Sequence, residues 1–274
     1  MLGALALLVK FGLYTGVLGA VGFAIQRLVL GAEFGRLIAA SALLLVICVA
    51  ARLLLLNAEL AGGLEHAFDV SMFGWIWSPN KAQTFAFLAG SAAIWISSLP
   101  RLRILVIPGA VTLIAGVGLG GHTQGLDSRG LSPLIASLHV AIAAFWITAP
   151  RALWPRREIG DVELSATLSR FSSIAVWAIP ILFAGGVWLS LKLAGSVDAL
   201  ATTDYGRLLI LKFALASLAL SVGALNKIWV SKKIETGSLS GRVWLRRMLI
   251  LDIFLFVAIL VAIAAATTLT GPGS

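Results

Sequence analysis

Eight runs of nearly uninterrupted apolar residues occur in this 274-residue chain, each long enough to cross about 30 Å of membrane hydrocarbon as a helix. Apolar residues make up 59% of the chain and charged residues only 12%. This balance excludes a water-soluble globule, a disordered chain and a disulfide scaffold. The sequence therefore predicts an all-α, polytopic transmembrane bundle, with helices at about residues 4–26, 37–59, 82–99, 103–121, 131–149, 170–193, 206–228 and 248–269.

The predicted helices form a single integral membrane domain over residues 1–274. Helices 1–4 occupy about residues 4–121, and helices 5–8 occupy about residues 131–269. Residues 61–81 are rich in glycine, aromatic and acidic residues and are too polar to span. For this segment we predict a helix on the membrane surface or a re-entrant segment.

The lysines and arginines fall in alternate loops. Fourteen of the 21 lie in the loops after predicted helices 1, 3, 5 and 7, and the positive-inside rule places those loops in the cytoplasm. Both termini are then expected outside (N-out, C-out). These bases form short scattered clusters and no single basic face, so we expect membrane lipid around the chain and no nucleic-acid partner.

The predicted outer side is relatively acidic and could attract cations, because six of the twelve acids fall there. All three histidines also lie on this half: His66 in the first outer connection, His122 at the end of helix 4 and His139 about two turns into helix 5. Neutral imidazole binds copper, zinc and haem iron. For each histidine, a metal or proton role and an interhelical hydrogen bond remain open alternatives. The outer acids are Glu59, Glu65, Asp69, Asp127, Asp198 and Asp204.

Polar residues within the other helices are the remaining candidates, because such groups are costly in hydrocarbon unless they are paired or wetted. Lys212 lies about two turns into helix 7, Asn226 lies near the inner end of the same helix, and Asp252 lies in helix 8. They line a polar path or pair structurally within the bundle. Met72, near His66, adds a thioether to the oxygen ligands of Glu65 and Asp69, but the spacing matches no tight metal motif.

Several catalytic motifs are absent from the sequence. It contains no GxxxxGK[ST] phosphate loop, no HExxH motif and no set of serine, histidine and acid arranged for hydrolysis. We therefore expect neither an ATP-driven pump nor an intramembrane hydrolase, and we predict that the chain is not an enzyme.

Four motifs in the second half carry a family resemblance: RFSSIAVWAIPILFAGG at 170–186, TTDYGRLLILK at 202–212, GALNKI at 223–228 and WLRRMLILD at 244–252. In this order and spacing they resemble the copper resistance protein D family of bacterial inner-membrane proteins. GH at 121–122 and LHVAIAAFW at 138–146 are similar to the helices that precede them in that family.

The resemblance implies a multi-pass protein of the bacterial cytoplasmic membrane that handles copper, usually described as importing it. It also implies a periplasmic copper-binding partner of the C family and periplasmic histidine ligands. These ligands map onto His122 and His139, with His66 as a third. The chain departs from the family in two ways: it carries no fused C-type domain, and it has Asp252 where relatives often have glutamate. With three methionines in all, it is also poorly supplied with thioethers for a Cu(I) path.

Three functional hypotheses follow. In the first, outer acids concentrate copper, His122 and His66 capture it, and His139 passes it into the bundle. In the second, paired helix histidines hold b-type haem in a membrane redox protein. In the third, the chain is an assembly factor that transports nothing.

Overall fold

A computed structural model describes residues 2–31, 33–120 and 130–269, and within these ranges the chain is helical with no strand. A π-helical turn lies at Asn226–Val230, and short 3₁₀ helices lie at Leu64–His66 and Pro100–Leu105. The α-helices are α1 (Leu2–Leu30), α2 (Gly35–Ala61), α3 (Val70–Ile96), α4 (Val106–Gly118), α5 (Ser132–Ile147), α6 (Ala149–Ala152), α7 (Asp161–Ala194), α8 (Val197–Thr202), α9 (Asp204–Leu225), α10 (Ser231–Glu235) and α11 (Leu239–Thr268).

Seven helices in the described ranges are long and apolar enough to cross a membrane. The faces of these helices on the surface of the bundle carry large apolar side chains, such as Trp177 (76% exposed) and Phe254 (68% exposed). Such side chains are expected where lipid replaces water as the solvent. The predicted all-α, multi-pass membrane fold is therefore confirmed. The seven segments are Leu2–Leu30, Gly35–Ala61, Arg101–Gly118, Ser132–Ala152, Asp161–Ala194, Asp204–Glu235 and Ser240–Thr268.

The third predicted span, 82–99, belongs to the longer helix α3, which is not among these seven. Residues 70–81 form no separate surface or re-entrant helix, because α3 runs through them without a break. Two polar residues at and just beyond the end of this segment have partners in the bundle: the Arg52 guanidinium donates to the amide oxygens of Asn80 (3.1 Å) and Gln83 (2.9 Å). A polar patch satisfied in this way does not interrupt a helix.

The bundle is organised around α1, which packs against α2, α5 and α11. Close approach depends on glycine: a Cβ at Gly16 would lie 2.9 Å from Leu45 Cα of α2, and a Cβ at Gly22 would lie 2.2 Å from the Ala144 carbonyl oxygen of α5. Near the second crossing, the buried Gln26 amide donates to the Phe145 carbonyl at 2.8 Å. Small residues with an interhelical hydrogen bond are typical of helix packing in lipid.

On the predicted cytoplasmic side, α7 and α11 begin before the apolar runs predicted for them at 170–193 and 248–269. Arg242 near the start of α11 accounts for part of this extension: its Nε donates to the Asp161 carboxylate at 2.7 Å, and its other nitrogens donate to the carbonyls of Arg156 and Ile159. Charge-assisted bonds of this kind tie the loop before α7 to the first turn of α11. An apolar cluster that includes Leu164 and Leu245 packs beneath them.

Whether α3 crosses the membrane decides the topology. It packs against both α2 and α4, so we expect it to span and to make eight crossings with both termini outside. Alkaline phosphatase fused after residue 63 or at the C-terminus should be active, and green fluorescent protein fused after residue 99 should fluoresce. Opposite behaviour of the C-terminal fusion, with the residue 63 fusion unchanged, would show an odd number of crossings.

Candidate functional site

A cavity of about 470 Å³ lies in the predicted outer half of the bundle; α1, α5, α7, α9 and α11 supply most of its lining, and α2, α3, α4 and Gly120 supply the rest. Most of its lining is apolar, including Phe87, Val140 and Phe183. On the predicted inner side it is bordered by Trp146, Leu182 and Phe256, which belong to one buried cluster. Its polar lining consists of Lys10, Tyr14, Arg52, Gln83, His139, Ser190, Tyr205, Lys212 and Thr267.

His139 of α5 is the histidine that lines this cavity, and its ring is held by α7. Its Nδ1 lies 3.0 Å from the Leu182 carbonyl oxygen. A carbonyl only accepts, so Nδ1 carries the proton and Nε2 keeps its lone pair. Gly186 makes room for the ring, since a Cβ there would lie 3.1 Å from His139 Cε1. An imidazole oriented in this way through one nitrogen is suited to bind a metal through the other.

Three cationic side chains line the same cavity, and their hydrogen-bond partners are neutral. Lys10 donates to the Thr267 carbonyl, and Arg52 donates to the amides of Asn80 and Gln83. Lys212 has no hydrogen bond or ion pair within the described part of the chain. No aspartate or glutamate of the described ranges lines the cavity.

The candidate ligands of the first outer connection are not gathered into a cluster in the part of the chain that the structure describes. His66, Glu65 and Asp69 are exposed, and no group of three or more metal-binding side chains occurs among the residues that the structure describes. The Asp69 carboxylate caps α3 by accepting the Ser71 N–H at 2.9 Å, which lowers the pKa of Asp69 below its ordinary value. This cap is therefore present above the ordinary carboxyl pKa and is lost as the pH falls through the lowered one. Glu59 and Met72, nearby in sequence, are exposed as well.

His122 and Asp127 lie outside the described residues. Gly120, the last described residue before them, lines the cavity, and its backbone contacts Gln83 so closely that a Cβ would lie 2.3 Å from the Gln83 amide. The Gln83 amide nitrogen also donates to the Gly116 carbonyl at 3.2 Å.

Lys212 and Asp252 do not form an ion pair within the described ranges. Asp252 lies between Leu249 of the inner apolar cluster and Leu255 of the next cluster, and Asn226 lies between Val230 and Val222 of the same two clusters. They therefore share one level, on the predicted inner side of the cavity. Each has a buried Oδ1 atom without a hydrogen-bond partner among the described residues.

Sequence reasoning missed Lys10, Gln83 and Asn57. Each is a lone polar residue in or beside an apolar stretch, which is the same signal that singled out Lys212. The buried Asn57 amide donates to the carbonyls of His66, Ala67 and Asp69, and so fixes the first outer connection against α2. The role of Asn57 is therefore structural.

Comparison with known proteins confirms the family resemblance over one segment. Residues 165–266 match the family model described as copper resistance protein D. The segment includes Gly186, Lys212 and Asp252, and it does not include His139.

Copper transport protein CutJ of Bacillus subtilis (strain 168) is 25% identical over 167 residues, which are 58% of this chain and 29% of that protein. The chain thus spans less than a third of the length of this curated relative. No solved structure matches the chain.

Proposed function

We propose that this multi-pass membrane protein binds copper from the predicted outer side and moves it towards the cytoplasm, with His139 as the ligand within the bundle. One observation carries the proposal: His139 is oriented through Nδ1 in the cavity, and its Nε2 has no hydrogen bond to the residues that the structure describes. The match to the copper resistance family and the relative named as a copper transport protein support copper as the substrate.

A second ligand is needed, because one imidazole holds copper weakly. We assign this role to His122, which follows Gly120 of the cavity lining by two positions. His66 is an accessory capture residue, and a periplasmic copper-binding protein of the C family is its proposed donor. Asn226 and Asp252 offer oxygen ligands further along the path, and the accessory outer residues are Glu59, Glu65, Asp69 and Met72.

Haem b is the second candidate ligand, because the cavity is largely apolar and places one imidazole beside cations that could pair with propionates. The fit is incomplete: within the described ranges His139 is the one histidine on a membrane-spanning helix, whereas paired ligation needs two. A colourless protein that retains copper contradicts the haem hypothesis.

The test combines a metal analysis with a visible spectrum of the purified full chain. We expect copper bound at about one ion per chain and no Soret band. A Soret band with reducible α and β bands would contradict the copper proposal. Cells that express the chain should also accumulate more copper than cells without it, and equal accumulation would indicate an assembly factor that transports nothing.

A further inference from the structure

The cavity that contains His139 has an unusual charge balance. Lys10, Arg52 and Lys212 reach it from three different helices, while no described carboxylate lines it. A charge at membrane depth is costly unless it is paired, and the partners found here are neutral carbonyls and amides. The exposed Glu59 lies within electrostatic range of Lys10 but outside the lining, and three positive charges in one largely apolar space favour a negatively charged occupant.

The shape and chemistry of the lining narrow the class of that occupant. The Arg52 guanidinium has N–H groups beyond the two that donate to Asn80 and Gln83, and these suit an oxyanion; Lys10 and Lys212 add point charges. Most of the remaining wall is apolar, and about 470 Å³ lies within the range of small-molecule sites. We propose that this cavity binds an organic carboxylate with an apolar body, attracted by the three cations of its lining, Lys10, Arg52 and Lys212.

Anion binding also bears on copper. A free copper ion entering this cavity meets three like charges, whereas a bound carboxylate offsets them and supplies an oxygen ligand beside His139. Copper and the carboxylate therefore reinforce each other, and each raises the affinity of the chain for the other by the same factor. This coupling rests on the proposed function.

Octanoate is the probe, measured by calorimetry on copper-free full-length protein, with octan-1-ol as its uncharged counterpart. We expect one octanoate per chain, bound about tenfold or more tightly than octanol, because a charged hydrogen-bonded end contributes that much. Lys212→Met and Arg52→Gln should each weaken octanoate binding by about tenfold. Lys192→Met should leave it unchanged, because Lys192 is exposed and contacts the ring of Trp188.

Thermal melting gives a second readout that is independent of calorimetry. Without ligand, Lys212→Met should melt higher than the parent, because it removes an unpaired charge at membrane depth. At the same octanoate concentration, the melting temperature of the parent should rise by more than that of the variant, because the variant binds octanoate less tightly. Equal stabilisation of both proteins would overturn the inference.

The remaining outcomes separate this inference from the proposed function. Octanol binding as tight as octanoate binding would overturn the anion site. Octanoate binding that appears only in the Asp127→Asn variant would also overturn it, because the chain would then supply its own carboxylate. Copper binding without octanoate binding overturns the anion site and leaves the copper function standing. Octanoate binding without copper binding does the reverse.

A fatty acid recovered from the purified protein by solvent extraction supports a membrane source for the carboxylate. Octanoate binding without a recovered fatty acid supports a water-soluble source.

Discussion

Alanine at position 139 is expected to lower the copper retained by the purified protein by about tenfold or more, since loss of even an orienting partner of a metal ligand costs that much. His139 is the described histidine that lines the cavity, and its free Nε2 has no substitute among the described residues there. The measurement is the copper-to-protein ratio after dialysis against a weak chelator, with a melting curve on each sample.

Two variants separate ligand loss from structural damage. His139→Gln keeps an N–H donor for the Leu182 carbonyl and should fold like the parent, but it should bind copper as poorly as His139→Ala. His66→Ala removes an exposed imidazole outside the cavity and should retain most of the copper. Full copper stoichiometry in a His122→Ala, His139→Ala double variant would contradict this assignment. The copper site would then lie among Glu59, Glu65, His66, Asp69 and Met72.

Gly22→Ala should destabilise the protein more than any comparable change on a helix surface. The added Cβ would lie 2.2 Å from the Ala144 carbonyl oxygen and 2.6 Å from Thr148, so α1 and α5 must separate. Overpacking of this kind costs about 3 kcal/mol, which corresponds to a fall in Tm of roughly 6–12 °C. Gly22→Val, which adds two further methyl groups, should prevent accumulation of folded protein.

The matched control is Gly223→Ala in α9. Gly223 is also a helical glycine, and nothing lies within 4 Å of the position that a Cβ would take there. Alanine should therefore leave Tm unchanged or raise it slightly through its better helix propensity. Melting is followed by the fluorescence of the native tryptophans in detergent. If both variants melt together with the parent, Gly22 does not set the distance between α1 and α5.

The bounds of a helix could be predicted from the sequence only where a long apolar run sets them. The runs predicted at 37–59 and 206–228 lie within Gly35–Ala61 and Asp204–Glu235, because long apolar stretches must be helical in lipid. The first turns of α3 escaped prediction because polar residues such as Asn80 lower the hydropathy before residue 82, and Gln83 continues this polar stretch. Their hydrogen bonds to Arg52 of another helix, which keep the segment in the bundle, leave no pattern in sequence.

The candidate site divides in the same way. His139 and Lys212 could be singled out from sequence, because a lone polar residue in an apolar run must find a partner or a wet cavity. The sequence could not show that Lys10, Arg52 and Lys212 line one cavity. Helices that are apolar on all sides carry little information about which face turns inward.

The sequence by itself determined the membrane environment, the helical class and the short set of residues able to carry chemistry, because each depends on local hydropathy and residue type. Only the tertiary structure decided the charge of the site. It brought Lys10, Arg52 and Lys212 into the lining of the cavity that contains His139, and it left the acids of the first outer connection outside that lining. Helix rotation and crossing are set by contacts such as Gly22 against Ala144, which join positions far apart in the chain.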